Sequence, residues 1–129
     1  MDAKIEALVL VVRDATAMAA FYAGVFGVSF ETLEVEGSIV HQGHWCGLDL
    51  ALVPEALSEV KVSQNPIHFD IFVDDLEEGI QRVERSGGRT NGQLGEDDEL
   101  RAIGIYDPDD NFMVFKQRKA SGGESLTLG

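Results

Sequence analysis

The sequence contains one pattern twice, and this duplication is its strongest constraint on the fold. When the chain is shifted by 61 positions, "ALVLVVRDATAMAAFYAGVFG" (7–27) aligns with "HFDIFVDDLEEGIQRVERSGG" (68–88) without a gap. Each copy has an apolar run, an aspartate, a helical stretch and a glycine. A repeated unit of this kind cannot bury its apolar face alone. The chain is therefore predicted to consist of two modules of similar structure.

Inside each copy the residues favour a strand followed by a helix. The apolar runs are of strand length and rich in β-branched and aromatic residues. Asp14 and Asp75 are suited to cap the helix N termini, and Gly27 and either Gly87 or Gly88 are suited to end the helices. Apolar residues recur at helical spacing in both copies, as Met18, Phe21, Tyr22 and Val25 and as Leu76, Ile80 and Val83.

Three short strands are expected after each helix. They are predicted at 28–36, 38–43 and 47–53 and at 89–94, 100–106 and 112–117. "EGS", "QGHWCG", "GEDDE" and "DPDDN" supply turns between them. The prediction is an α+β fold of two tandem βαβββ modules, about 4–57 and 64–118, in a single domain 1–118. Residues 119–129 are expected to form a flexible tail, with an edge strand in "ESLTLG" as the alternative.

Charge and cysteine content restrict the partners. Ten basic and 23 acidic residues give a net charge of −13, which disfavours nucleic acid and anionic membranes. The charge favours a cationic ligand or serves only solubility. No apolar run has the length of a membrane span, and the N terminus does not have the pattern of a signal peptide. With Cys46 as the only cysteine, a disulfide or a cysteine zinc site is not expected, and a cytoplasmic protein is predicted.

Three stretches carry a resemblance to a known superfamily. They are "VVRDATAMAAFYAGVFG", "HFDIFVDDLEEGIQRVERSGGR" and "DPDDNFMVF", the last with Asp110 in place of the usual glycine. Together they resemble the vicinal oxygen chelate superfamily, which includes glyoxalase I, extradiol dioxygenases, methylmalonyl-CoA epimerase and the bleomycin- and fosfomycin-resistance proteins. The resemblance implies paired βαβββ modules that form a U-shaped mixed sheet around a site, and it implies a homodimer.

The resemblance also implies positions for a divalent metal, held by His, Gln or Glu from the first and last strands of each module. His68 occupies one of these positions, but the equivalent residue of the first module is Ala7. The glutamate expected in the last strand is Val114, and its first-module counterpart is Ala51 or, with a shift of two, Asp49. We therefore expect no metal and no other cofactor. A divalent metal at His68, with Asp49 as a weak second ligand, is the less favoured alternative.

Strand alternation indicates which residues would face a ligand. His68, Asp70 and Phe72 fall on one face of their strand, and Ile67, Phe69, Ile71 and Val73 fall on the other face, which should pack under the helices. The predicted ligand-binding residues are His68, Asp70, Phe72, Val9, Val11, Trp45 and Val114. For Trp45, packing at a dimer seam is an equal alternative to stacking on a ligand. His41 and His44 are interpreted as loop residues, and Glu96–Glu99 as a solvated loop.

Three functions remain open at this point. The favoured one is metal-free binding of a small molecule, cationic or planar and aromatic, as in the bleomycin-resistance proteins. The second is a metal-dependent lyase or dioxygenase with an atypical site at His68 and Asp49. The third is a metal-independent isomerase or biosynthetic accessory enzyme in which His68, the only catalytic candidate, acts as acid or base. Whether the protein is an enzyme is left undecided.

Overall fold

A computed structural model describes residues 1–58, 62 and 67–119 of the chain. The chain divides into two compact units, Met1–Ser63 and Gln64–Gly129, and each is described by itself. Most of the segment between the two predicted modules, and the predicted tail beyond Lys119, lie outside the described residues. Lys119 is hydrogen-bonded within the second unit, since its backbone N–H donates to the Glu99 carbonyl oxygen at 2.8 Å.

The first unit is a βαβββ module. Its elements are β1 (Ala7–Val12), α1 (Ala15–Phe26), β2 (Glu31–Val35), β3 (Ser38–Trp45) and β4 (Leu48–Pro54), followed by a short 3-10 helix at Glu55–Leu57. The sheet order is β1-β4-β3-β2, with β1 parallel to β4 and the other pairs antiparallel. Such a sheet brings the first and last strands of the module side by side.

Local chemistry explains the boundaries of these elements. The Asp14 carboxylate accepts the Ala17 N–H at 3.0 Å and caps α1, and Gly27 ends the helix at φ 72°. Both hairpins close through two residues of positive φ, Glu36-Gly37 and Cys46-Gly47, as type I′ turns require. The predicted turn at "QGHWCG" was therefore too long, because β3 continues to Trp45 and only Cys46-Gly47 forms the turn.

The second unit repeats the module with one strand divided in two. Its elements are β5 (Phe69–Phe72), α2 (Leu76–Arg85), β6 (Arg89–Thr90), β7 (Gly95–Glu96), β8 (Leu100–Tyr106) and β9 (Phe112–Arg118). The order is β5-β9-β8-β6, β7 also pairs with β8, and β5 runs parallel to β9. Asp75 caps α2 as predicted, accepting the Glu78 N–H at 3.0 Å. Gly87, at φ 91°, is the glycine in the left-handed conformation after α2.

The continuous strand predicted at 89–94 is wrong, and side-chain hydrogen bonds account for the break. The Thr90 hydroxyl accepts the Gly92 N–H at 3.2 Å, and the Asn91 side-chain oxygen accepts the Gln93 N–H at 3.1 Å. Such local bonds compete with the ladder of a sheet. Gly92 also has φ 74°, a turn conformation. The chain from Arg89 to Glu96 therefore pairs with β8 as two separate short strands, β6 and β7.

The predicted turn at "DPDDN" is built around one buried carboxylate. Asp107, 2% exposed, accepts hydrogen bonds from the Asp109 and Asn111 backbone N–H groups and from the Asn111 side-chain amide. These three bonds satisfy a charge that would otherwise be costly to bury. Asp110 has φ 64°, the left-handed conformation for which a glycine is usual at this position.

Each sheet is covered by its helix on one face. In the first module, the four apolar residues at helical spacing in α1 are all buried. They pack over the buried sheet residues Leu10, Val12, Leu50 and Leu52. In the second module Leu76 and Val83 are buried, together with Ile103, Ile105, Met113 and Phe115 of the sheet. Ile67, predicted to pack with them, is 63% exposed because it precedes β5. The α+β fold class is thus confirmed, and no helix of the described residues could span a membrane.

Candidate functional site

The second sheet has a face opposite α2 that collects most of the predicted site. Asp70 pairs with Val114 and Phe72 pairs with Lys116 across the parallel strands β5 and β9. Paired residues share a face, and alternate residues return to it. We call this surface the second-module face and define it by His68, Asp70, Phe72, Phe112, Val114, Lys116 and Arg118. Four of the seven predicted ligand-binding residues, His68, Asp70, Phe72 and Val114, lie together on it.

An ionic cluster lies at the centre of the second-module face. The Lys116 ammonium is 2.9 Å from one Asp70 carboxylate oxygen, and His68 Nε2 is 3.5 Å from the other. The hydrogen bond from Lys116 lowers the pKa of Asp70 below its usual value. Asp70 is 46% exposed and His68 52%, so both are accessible to a ligand. The Asp70 carboxylate already has a full cationic partner in Lys116.

Aromatic rings flank this cluster on the same face. The Arg118 guanidinium lies over the Phe72 ring at 4.4 Å, a cation–π arrangement. The His68 ring contacts the Phe112 ring edge-on, with centroids 5.5 Å apart. Arg118 is exposed, and within residues 1–58, 62 and 67–119 it forms no ion pair. The face therefore offers flat apolar surface next to an available guanidinium.

The structure contradicts the prediction for Trp45. Its side chain is 3% exposed and packs against Tyr22 and Phe26 of α1, with centroids 5.3 and 5.5 Å away. Because β3 extends through Trp45 and pairs it with Leu48, alternation turns the indole under the helix. Trp45 is therefore a core residue of the first module, and not a wall for a ligand.

Val9 and Val11, the remaining predicted ligand residues, lie on the first sheet. Both alternate with the buried Leu10 and Val12, so they face away from α1, and Val9 is 54% exposed. We call this surface the first-module face. Val9 pairs with Ala51. The two valines thus occupy the positions on β1 that the duplication assigned to them.

Sequence reasoning missed a polar pair on the first-module face. His44 Nδ1 lies 2.8 Å from an Asp49 carboxylate oxygen, and the two residues are cross-strand partners. The interpretation of His44 as a loop residue is wrong because β3 continues past it. His41 is in β3 as well, but on the opposite face. A two-residue turn at Cys46-Gly47 was the available signal, since it forces residues 44 and 49 to be partners.

The strand registers settle which positions of the two modules correspond. Val9 pairs with Ala51 and Asp70 pairs with Val114. The 61-residue shift aligns Val9 with Asp70, so Ala51 is the counterpart of Val114. Asp49 lies two residues before Ala51 on β4, opposite Ala7. Neither Ala51 nor Val114 has a side-chain atom that could coordinate a metal ion. Within the described part of the chain, no three His, Cys, Asp or Glu side chains are grouped to hold a metal ion.

Residues 7–115 match the glyoxalase-like domain, which is most of the chain. The chain belongs to the glyoxalase-like domain family. The predicted resemblance to the vicinal oxygen chelate superfamily is confirmed. None of the curated proteins matches this glyoxalase-like chain in sequence.

Solved structures share the fold at low sequence identity. A glyoxylase/bleomycin resistance protein/dioxygenase domain from Frankia sp. EAN1pec is 14% identical, with 96% of each chain covered and a TM-score of 0.72. A glyoxalase/bleomycin resistance protein/dioxygenase family enzyme from Burkholderia phytofirmans PsJN is 20% identical. The match covers 89% of this chain and 98% of the enzyme's chain, with a TM-score of 0.68. These similarities establish the fold alone.

A third structural neighbour contains a metal. It is a mutant of the genomically encoded fosfomycin resistance protein FosX from Listeria monocytogenes, complexed with Mn(II) and 1S,2S-dihydroxypropylphosphonic acid. It is 18% identical, with 89% of this chain and 90% of its own covered and a TM-score of 0.67. Metal binding therefore occurs on this fold.

Proposed function

We propose that the protein binds a small molecule on the second-module face without a divalent metal. The observation that carries this proposal is the pairing of Asp70 with Val114 and Lys116. The strand position that would supply a carboxylate to a metal is an aliphatic side chain. The neighbouring carboxylate is held by an ammonium group, which would repel a divalent cation placed beside it.

The charges of this face favour an anionic planar ligand. Lys116 and Arg118 are cationic, and Asp70 is the one carboxylate among the residues that define the face. A guanidinium presents paired donors that match a carboxylate or phosphonate group. Phe72 and Phe112 provide rings for stacking. The net charge of −13 alone suggested a cationic ligand, but local charge dominates at contact distance because salt screens distant charges.

The proposal is tested by thermal-shift titration in buffer that contains a chelator. Benzoate and phenylphosphonate should raise the melting temperature saturably, and benzylamine should not. Arg118→Met should weaken binding by about tenfold or more, the loss expected for one charge-assisted hydrogen bond. Arg85→Met is the matched control, because Arg85 is exposed at the end of α2 and away from this face. Equal losses in the two variants, or saturable stabilisation by none of the anions, would contradict the proposal.

A metal-independent isomerase is the second candidate. It is favoured by the 3.5 Å contact between His68 Nε2 and Asp70, since a carboxylate near an imidazole can stabilise its protonated form during proton transfer. The two candidates share the face and differ in turnover. His68→Gln should abolish proton exchange into a bound ligand in deuterated water if His68 is an acid or base. If the protein only binds, the wild type should catalyse no proton exchange into the ligand, and His68→Gln should change the affinity alone.

A further inference from the structure

The first unit has one fully exposed strand at an edge of its sheet. β2 is the last strand in the order β1-β4-β3-β2, so one of its edges is free within this unit, and all five of its residues are exposed. Leu33 and Val35, on one face, are 46% and 40% exposed. Ile39 of β3, which pairs with Glu34 on the other face, is 45% exposed. Since a strand usually packs at least one face on a core, β2 presents an unusual amount of apolar surface at a sheet edge.

The backbone at this edge is available to pair with another strand. The two-residue turn at Glu36-Gly37 makes Val35 and Ser38 a hydrogen-bonded pair. Alternation along the ladder then directs the backbone groups of Thr32 and Glu34 away from β3. Within residues 1–58, 62 and 67–119, nothing donates to or accepts from these outward groups. A row of unpaired N–H and C=O groups is a template for the addition of a further strand.

β2 has none of the features that usually protect an edge strand. Its sequence "ETLEV" contains no lysine and no proline, and it pairs with β3 over five consecutive residues without a bulge. The charged residues of β2 are glutamates, which oppose pairing with a second copy of the chain because like charges on adjacent strands are destabilising. The edge is therefore open to a strand of different charge.

The negative charge of the β2–β3 hairpin has no local compensation. Glu31, Glu34 and Glu36 are exposed, and none of them forms an ion pair within the described part of the chain. No lysine or arginine occurs between Arg13 and Lys61. A strand with basic side chains would gain favourable cross-strand pairs at this edge, and an acidic strand would be repelled. Charge complementarity therefore selects a basic partner.

We propose that the free edge of β2 binds an extended segment of a partner protein in which lysine or arginine alternates with aliphatic residues. The segment adds to the sheet as a further strand and forms backbone hydrogen bonds with Thr32 and Glu34. Alternation places its aliphatic side chains beside Leu33 and Val35 and its basic side chains beside Glu34. The inference goes beyond the proposed function, since the partner is a protein and no residue of the second-module face takes part.

The test follows the backbone amides of β2 by NMR in the full chain while a hexapeptide of alternating lysine and valine, acetylated and amidated at its ends, is added. The Glu34 amide should shift saturably and gain protection from hydrogen exchange. The control peptide has the same composition, with its lysines in one block and its valines in the next. Because it cannot place all its basic side chains on one face of a strand, it should bind about tenfold more weakly or less tightly still.

Two pairs of variants separate backbone pairing and local charge from general attraction. Thr32→Pro removes an outward N–H and should abolish saturable binding, and proline is tolerated where the N–H of an edge strand faces solvent. Thr32→Ala keeps this N–H and should bind within about twofold of the wild type. Glu34→Gln should weaken binding about threefold, the loss expected for an exposed ion pair. Glu84→Gln removes the same charge from an exposed position of α2 and should leave the affinity unchanged, with every fold verified by circular dichroism.

Several results would overturn the proposal. They are unsaturable binding, equal binding of the two peptides, equal losses in the two glutamine variants, and wild-type affinity in Thr32→Pro. Protection of the Thr32 and Glu34 amides in the free protein would overturn it too. Protection that is independent of protein concentration would mean that the chain's own residues cover the edge, and protection that rises with concentration would mean that a second copy does. Since the readout is β2 and the probe is a basic peptide, none of these outcomes bears on the second-module proposal.

Discussion

The two modules have the same backbone plan, and the faces opposite their helices differ in charged and aromatic residues. Asp14 and Asp75 cap equivalent helices, and in each sheet the first strand pairs in parallel with the last. On the faces opposite the helices, both modules carry carboxylate and imidazole groups, and the second also carries an ammonium, a guanidinium and aromatic rings. The duplication therefore fixes where side chains lie, and it leaves their chemistry free to differ.

The cores under the helices differ too. The first module packs an aromatic cluster of Phe21, Tyr22, Phe26 and Trp45. The second module buries mainly aliphatic side chains around Phe115. Aromatic side chains bury large areas each and prefer edge-on contacts, as between Tyr22 and Trp45. The stability of the first module should therefore depend more on single large residues.

The largest expected effect is that of Trp45→Ala. Removal of a fully packed indole should lower the free energy of unfolding by about 3–5 kcal/mol, measured by denaturant titration. Val9→Ala, on the exposed face of the same sheet, should cost no more than about 1 kcal/mol. If Trp45→Ala were as mild as Val9→Ala and instead reduced ligand binding, the indole would belong to the site and the contrast between the two cores would fail.

The sequence was sufficient to predict the repeat and the order of helices, strands and turns within each copy. Aspartate caps, helical spacing of apolar residues and turn residues all act locally, so their consequences can be read from short stretches. The closing turn at Asp107 is an example, since its hydrogen bonds join residues at most four positions apart. Val114 was assigned from the family resemblance, with Ala51 or Asp49 as its first-module counterpart, and the strand registers favour Ala51.

Errors arose where a boundary shifted by two or three residues. β3 was predicted to end at residue 43 but continues to Trp45. The indole therefore lies in the core, and His44 pairs with Asp49. Strand alternation turns a small boundary error into a change of environment, because the period is two residues. The break between β6 and β7 depends on side-chain bonds from Thr90 and Asn91, which apolar patterning does not detect. Dimer formation and cytoplasmic location remain predictions.

The smallest expected effect concerns the ionic cluster of the second module. Lys116 lowers the pKa of Asp70, so this carboxylate stabilises the fold above its unfolded pKa of about 3.9 and loses that contribution as pH falls through the lower, folded pKa. Lys116→Met should raise the Asp70 pKa toward its ordinary value in an NMR pH titration. Since both groups are partly exposed, stability at neutral pH should fall by less than about 1 kcal/mol.

Lys119→Met is the matched control for this titration. Lys119 pairs with Glu96 at 2.6 Å and does not contact Asp70, so the Asp70 pKa should not move. An unchanged Asp70 pKa in Lys116→Met would show that the Lys116 ammonium does not form an ion pair with the Asp70 carboxylate in solution. The carboxylate would then be available to a metal, and the charge contrast between the two modules would weaken.

Ligand binding without a metal can be tested by Mn(II) titration followed by electron paramagnetic resonance of the free ion. The wild type and His68→Ala should remove Mn(II) from solution equally and weakly, as an acidic surface does. A single tight Mn(II) site per chain that disappears in His68→Ala would contradict the claim, since it would mean that His68 belongs to a working chelate despite Ala7, Ala51 and Val114.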